Sequence, residues 1–342
     1  VIVEDGSFDI NTMRAGRPSS FTSEHNNFEI TGLRVQQRAK RPLSVDGFKM
    51  GIRNFENFLR DSTYSIQFDS ILFNNNRISL SNFSYRELTN NRTINTLTVP
   101  QLELQGLSWD NLVLEQQLMA EKVTLYKPAI RYHVRNNPGK SQTIFEVLSG
   151  LGEMMQLSNL HLIEGQVSLV FPNKSELELE KATLHIAGRD LVNSKQLKGI
   201  QQSVTRLDFA KGRLHVGPVT ALLQGVQFTG ETNHLRADVL EVTDISKAKI
   251  KASGVNIRTL VIDDKLQQTR IEGISWDSAV LNLPLGRRRA PQEKREGFIL
   301  RDVDGRRTRV FASDDTRQLE VYFKHIGAES FSSGKRRHFR IK

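Results

Sequence analysis

The feature that most limits what this chain can become is a two-residue alternation of apolar and polar side chains along most of its length. It is plain in Leu177-Glu-Leu-Glu, Ala182-Thr-Leu-His-Ile, Val123-Thr-Leu-Tyr, Ile130-Arg-Tyr-His-Val, Arg213-Leu-His-Val and Ala248-Lys-Ile-Lys-Ala. Neighbouring side chains on a strand point to opposite faces, so such alternation builds sheets with one apolar and one wetted face. The alternating runs are separated by Gly, Asn, Asp, Pro or Lys clusters, which suit the turns of an antiparallel meander. The pattern predicts roughly a dozen strands or more.

A second constraint is internal duplication. Leu104–Leu114, Leu-Gln-Gly-Leu-Ser-Trp-Asp-Asn-Leu-Val-Leu, returns at Ile271–Leu281 as Ile-Glu-Gly-Ile-Ser-Trp-Asp-Ser-Ala-Val-Leu, and Trp109 and Trp276 are the only 2 tryptophans. Upstream, Asn74-Asn-Asn76 and Ala210-Lys-Gly212 occupy equivalent places and are both read as turns. The spacing to the tryptophan is longer in the second copy, which puts a hairpin-sized insertion at about residues 220–250. Growth by whole hairpins points to an extended sheet rather than a closed barrel. Trp109 and Trp276 then serve as structural anchors that mark the register of the repeat.

A shorter phrase, apolar-x-x-Gly-x-apolar, occurs at Val3–Phe8, Leu162–Val167 and Phe209–Leu214. Each reads as a tight turn or bulge with its glycine at positive φ. Helical spacing is confined to two places. Ser141–Leu157 lines up Ile144, Val147, Leu148, Leu151, Met154 and Met155, with Ser141 or Thr143 as cap. Asp46–Leu59 spaces Phe48, Ile52, Phe55 and Phe58 in a way that suits a helix or a bent strand. The expected fold is mainly β: an extended, curled, mostly antiparallel sheet, repeat-like and groove-forming, with one or two short helices.

Residues 1–284 are expected to form this repetitive domain, with modules at about 66–135 and 204–284 joined by a helix-containing connection at 141–157. Residues 285–342 read as a basic linker and a short β-rich tail. That tail carries 16 Lys and Arg against 8 Asp and Glu, which from totals of 48 and 38 leaves 32 against 30 in the body. The net charge of +10 is therefore mostly a property of the tail, and it lacks the aromatic interleaving of a nucleic-acid surface. A solvated terminus is expected, with a membrane surface or envelope protein as the partner a basic stretch could touch.

Candidate chemistry is thin. With 0 cysteines there are no disulfides, thiolate metal sites or thiol nucleophiles. His161, His185 and His215 each sit between two apolar residues and could converge on zinc only if their strands were neighbours. Without a ligand spacing they read as members of the wetted row. Asp263-Asp264 and Asp314-Asp315 would point to opposite faces of a strand and read as turn residues. No nucleophile elbow, phosphate-binding glycine loop or zinc-protease motif is present. The expectation is a non-enzymatic protein without metal or cofactor.

A sheet with one apolar face must cover it with another layer, with itself by curling, or with a ligand. The passage Leu97-Thr-Val-Pro-Gln-Leu-Glu-Leu-Gln-Gly-Leu-Ser-Trp-Asp, followed by Leu118-Met-Ala-Glu-Lys-Val-Thr-Leu-Tyr-Lys-Pro128-Ala-Ile, resembles AsmA-like proteins of Gram-negative bacteria. The similarity extends over about residues 1–284. It implies a periplasmic protein of the bridge-like lipid-transport type, anchored to the inner membrane by a segment outside this chain, whose opening at Val1 without a methionine is that of a piece. On this expectation phospholipid acyl chains lie in a groove lined by Leu102, Leu104, Val123, Leu125, Leu177, Leu179, Leu184 and Ile186. The competing expectation is a structural or adhesive β-solenoid or sandwich that binds protein or glycan through its polar face.

Overall fold

The structure is a computed structural model that describes residues 2–14, 17–35, 43–44, 47–59, 64–74, 76–89, 92–107, 118–133, 155–171, 174–187, 204–217, 219–244, 248–263, 268–284, 297–313, 317–333 and 338–341. It divides into two compact units, residues 1–172 with 186–192, and residues 173–185 with 193–342. Among the described residues there is no helix.

Unit 1 contains β1 (Ile2–Arg14), β2 (Arg17–Thr31), the two-residue strands β3 (Arg34–Val35) and β4 (Leu43–Ser44), β5 (Gly47–Leu59), β6 (Tyr64–Asn74), β7 (Arg77–Thr89) and β8 (Arg92–Gln105). β9 (Leu118–Tyr126), β10 (Ala129–His133) and β11 (Met155–Val170) follow. Strands β1, β2, β5, β6, β7 and β8 pair in that order, all antiparallel. β9 and β10 are two pieces of one line, broken at Lys127-Pro128, that runs antiparallel to β8 and parallel to β11.

Unit 2 repeats this plan. β12 (Glu176–Ala187) lies at the division between the units, followed by β13 (Val204–Val216), β14 (Val219–Thr229), β15 (His234–Asp244) and β16 (Lys249–Asp263). Next come β17 (Gln268–Trp276), β18 (Ser278–Pro284), β19 (Gly297–Ser313), β20 (Gln318–Ser333) and β21 (His338–Ile341). Strands β13 to β16 form an antiparallel meander. β17 and β18 are again one line broken at a single residue, Asp277, antiparallel to β16 and parallel to β19. Beyond Pro284, β19 continues this same sheet and β20 and β21 extend it. The expected insertion at residues 220–250 corresponds to β14, β15 and the start of β16.

Most strands change phase partway. In β8 the inward residues are Leu97 and Val99, then Leu102 and Leu104, with Pro100 and Gln101 both exposed between them. A strict alternation would have turned Leu102 and Leu104 outward. The extra residue is a β-bulge, which sends two consecutive side chains to the same face.

These bulges form a column across unit 1. Asn54 lies opposite Asp69, Asp69 opposite Asn82, Asn82 opposite Pro100, and Pro100 opposite Lys127, each in a gap the ladder skips. Lys127 then lies beside Glu164 of β11. Asn54, Asn82, Lys127 and Glu164 are left-handed, with φ of 52°, 51°, 50° and 54°, as are Asp5 and His25 on β1 and β2. From β5 to β9 a left-handed residue faces an ordinary one across each antiparallel pair. Pro100, which has a fixed negative φ and no N–H, takes an ordinary place where the ladder asks nothing of it.

Unit 2 has the same column with glycine and aspartate in the roles. Gly225 and Gly254, at φ 60° and 62°, face Asp238 and Asp277. A Cβ on Gly225 would stand 2.0 Å from Asp238 Oδ2, and one on Gly254 2.2 Å from Asp277 Oδ2. Each carboxylate thus folds over the bare backbone opposite. Aligned bulges bend every strand at one level and put a crease along the sheet.

One open sequence expectation is resolved here and two change. Of the two readings of Asp46–Leu59 the bent strand holds over Gly47–Leu59, which is β5, and the helix-like step from Ile52 to Phe55 is the phase change at Asn54. Met155–Leu157 belong to β11, while residues 141–154 of the expected helix lie outside the described residues. Ala210-Lys-Gly212 is the interior of β13 and not a turn.

Candidate functional site

The bulges matter because they keep apolar residues in line across the sheet. In unit 1, Val3 lies opposite Phe28, Phe28 opposite Met50, Met50 opposite Phe73, Phe73 opposite Ile78, Ile78 opposite Leu104, Leu104 opposite Val123 and Val123 beside Leu160. One row of side chains therefore crosses eight strands without a polar residue. Beside it runs Ile52, Ile71, Leu80, Leu102, Leu125 and Leu162.

Leu102, Leu104, Val123 and Leu125 sit in these two rows, directly paired. Leu104, Val123 and Leu125 are buried and Leu102 half-buried. On β12, Leu179 and Ile186 are buried and Leu177 and Leu184 half-buried. Strict alternation would oppose Leu177 and Leu179 to Leu184 and Ile186; the left-handed Lys181, φ 51°, restores them to one side.

In unit 2 a fully apolar row crosses seven strands: Leu214, Ala221, Val242, Ile250, Leu281, Val310 and Val321. It is open to solvent along its whole length, its members being half-buried or, for Ile250, exposed. The first row of unit 1, by contrast, is open at Val3, Phe28 and Met50 and buried from Phe73 to Leu160. Leu283, Ala312 and Leu319 run alongside it, as do Ala279, Thr308 and Phe323. Leu283, Leu319 and Phe323 are 38%, 54% and 40% exposed. This end of the sheet offers an apolar field that its own side chains leave uncovered.

The recurring glycine phrase is steric at two of its three sites. At Val3–Phe8 and Leu162–Val167 the left-handed residue is Asp5 and Glu164, one before the glycine, and at Phe209–Leu214 it is Gly225 on the facing strand. A Cβ on Gly165 would come 2.6 Å from Leu162, and one on Gly212 2.5 Å from Phe209. The glycine makes room for the apolar side chain three residues earlier to lie across the bulge.

The tryptophan phrases share the left-handed glycine, Gly106 at φ 70° and Gly273 at 67°. Their paths then part, because β8 ends just before Gly106 whereas β17 runs through to Trp276. Trp276 is half-buried against Gly305, and its Nε1–H donates to Thr308 Oγ1 at 2.9 Å. Trp109 lies outside the described residues, as do Asp264, Asp314-Asp315 and the basic runs at 287–289 and 335–337.

The opposite face is polar and locally paired. Lys249 Nζ lies 2.7 Å from Glu241, a hydrogen bond that holds the Glu241 carboxyl below its ordinary value against the opposing effect of burial. Buried Glu103 is ringed by Arg77, Gln101 and Gln105. A depression of 410 Å³ lined by Glu176, Glu178, Arg213, His215, Thr220 and Leu222 holds the Arg213–Glu178 contact at 3.6 Å and the His215–Thr220 bond at 3.1 Å. His161, His185 and His215 lie on β11, β12 and β13, and among the described residues no three His, Asp or Glu side chains gather as a metal site. Comparison of the chain with protein-family models, with curated proteins and with solved structures finds no match.

Proposed function

We propose that the chain is a non-enzymatic, AsmA-like lipid-handling protein of the cell envelope, which holds phospholipid acyl chains against its apolar rows. The observation that carries this reading is the unbroken apolar row of unit 2, from Leu214 to Val321, open to solvent at Ile250 and flanked by exposed Leu283, Leu319 and Phe323. A row without polar interruption lets a hydrocarbon move along it at nearly constant free energy. Each methylene kept from water is worth about 0.8 kcal/mol. The step is passive and no bond is made or broken.

The test is lipid extraction of the purified protein followed by mass spectrometry. Phospholipid should copurify, and Ile250→Glu combined with Leu281→Glu should lower the amount about tenfold or more, since a carboxylate against hydrocarbon costs well over 1.4 kcal/mol. Neither residue is fully buried, so the fold should survive the change. A competing structural or adhesive role is favoured by the tightly closed residues Val226, Ala237 and Val255, which the chain itself covers. Lipid-free protein whose double variant behaves like the parent would decide for that role.

A further inference from the structure

The last long strand of unit 2 has a bare edge. β20 pairs along its whole length with β19, but β21 covers only Ala328–Ser332 on the other side, so among the described residues nothing pairs with residues 318–327 there. Unpaired edges are ordinarily blunted by proline, bulges or inward charges. Here no residue between 318 and 333 is proline, and the first gap in the β20 ladder with β19, at Lys324 opposite left-handed Arg307, leaves residues 318–323 regular. Leu319, Tyr322 and Phe323 are instead exposed by 54%, 56% and 40%.

We propose that this edge pairs with the same edge of a second copy of the chain, antiparallel, with Tyr322 on the two-fold axis. The sequence is self-complementary about that point. Pairing Tyr322 with its own mate sets Glu320 opposite Lys324 twice, and Val321 opposite Phe323 twice. Glu320 and Lys324 are exposed. Opposite charges facing across strands stabilise a pair and like charges oppose it. Because the axis runs through the sheet, each face meets its own kind. The row ending at Val321 continues into Phe323 of the second copy, so the apolar field of unit 2 doubles in length. The pairing stands whether or not that field carries lipid, because its elements are the edge and the charges.

Sedimentation or light scattering over a range of concentrations should give a particle of twice 38.9 kDa. Lys324→Glu should weaken association about tenfold or more by placing Glu opposite Glu at both ends, and adding Glu320→Lys should restore it. With 0 native cysteines, Tyr322→Cys should oxidise to a covalent dimer. Leu319→Cys should not, since its mate would lie about six residues, roughly 20 Å, along the strand. A parent protein that is monomeric throughout, including one whose amides at 318–327 are protected by some other segment, overturns the pairing. So does a dimer indifferent to Lys324→Glu, or cross-linking at Leu319 as efficient as at Tyr322.

Discussion

Val99→Asp is expected to unfold unit 1, while Thr98→Asp, one residue away, leaves it intact. Val99 is 1% exposed, in the middle of β8, and an aspartate there would bury a charge without a partner. The loss should be at least about 4 kcal/mol, a large part of the stability of any domain. Thr98 points outward and its replacement should shift stability by no more than about 0.5 kcal/mol. The same contrast repeats on the far side of the bulge with its parity reversed. Leu104→Asp should be as damaging as Val99→Asp, and Gln101→Lys, which keeps a donor beside buried Glu103, as mild as Thr98→Asp. Urea unfolding of the four variants, followed by circular dichroism, checks this. If the sensitive positions were all odd or all even, the phase change at Pro100-Gln101 would be refuted.

Gly305→Ala is expected to cost about 3 kcal/mol. A Cβ at that position would stand 2.0 Å from Cζ2 and 2.2 Å from Cε2 of Trp276. An indole is rigid, and this one is tethered by its bond to buried Thr308, so it cannot step aside. Displacing it would also take away the N–H that Thr308 Oγ1 accepts, leaving that hydroxyl only its 3.3 Å bond to the Arg306 carbonyl. The emission of Trp276, followed in a Trp109→Phe background, should move to the red as the ring is pushed toward solvent. Gly217→Ala is the control: Gly217 has a positive φ of 54°, which Gly305 lacks, but nothing lies within 4 Å of the added carbon, so only the backbone term of about 1 kcal/mol remains. Equal losses at the two sites would mean that contact with the ring is not what requires glycine at 305.

Much of the architecture was legible because alternation is a property of single strands. The β class, the antiparallel connections and the membership of Leu102, Leu104, Val123 and Leu125 in apolar rows all follow from which residue types recur at every second place. The bulge was legible only as one of two readings at the glycine phrases, and there with the wrong residue left-handed. It hides as a three-residue step between apolar positions, Ile52 to Phe55 or Phe209 to Gly212, and such a step imitates a helix in one place and a turn in another. The signal was nonetheless present, since Asn54 and Asn82, residues that tolerate the left-handed region, stand inside runs of otherwise good strand formers. The parallel pairing of β11 and β19 was not readable at all, because nothing within either strand records which neighbour it will meet. The same holds for the open end of the apolar field, which depends on how far β21 reaches along β20.

The alternation of left-handed and ordinary residues along the crease has a consequence for how such a chain can lengthen. From β5 to β9 in unit 1, and from β13 to β18 in unit 2, each antiparallel strand takes the role its neighbour lacks. Inserting one strand there would set two left-handed residues, or two ordinary ones, face to face. Inserting two preserves the sequence of roles. Excision of β14 and β15 illustrates it: Ala210 would meet Gly254 in place of Gly225, Leu214 would meet Ile250, and Phe209 would meet Val255. These three contacts would stay apolar and every strand direction would stay correct, while on the polar face Arg213 would come to face Lys251. A chain built on this crease can gain or lose length by even numbers of strands without redesigning the crease or its apolar rows, which makes reach along the sheet an evolvable quantity separate from fold.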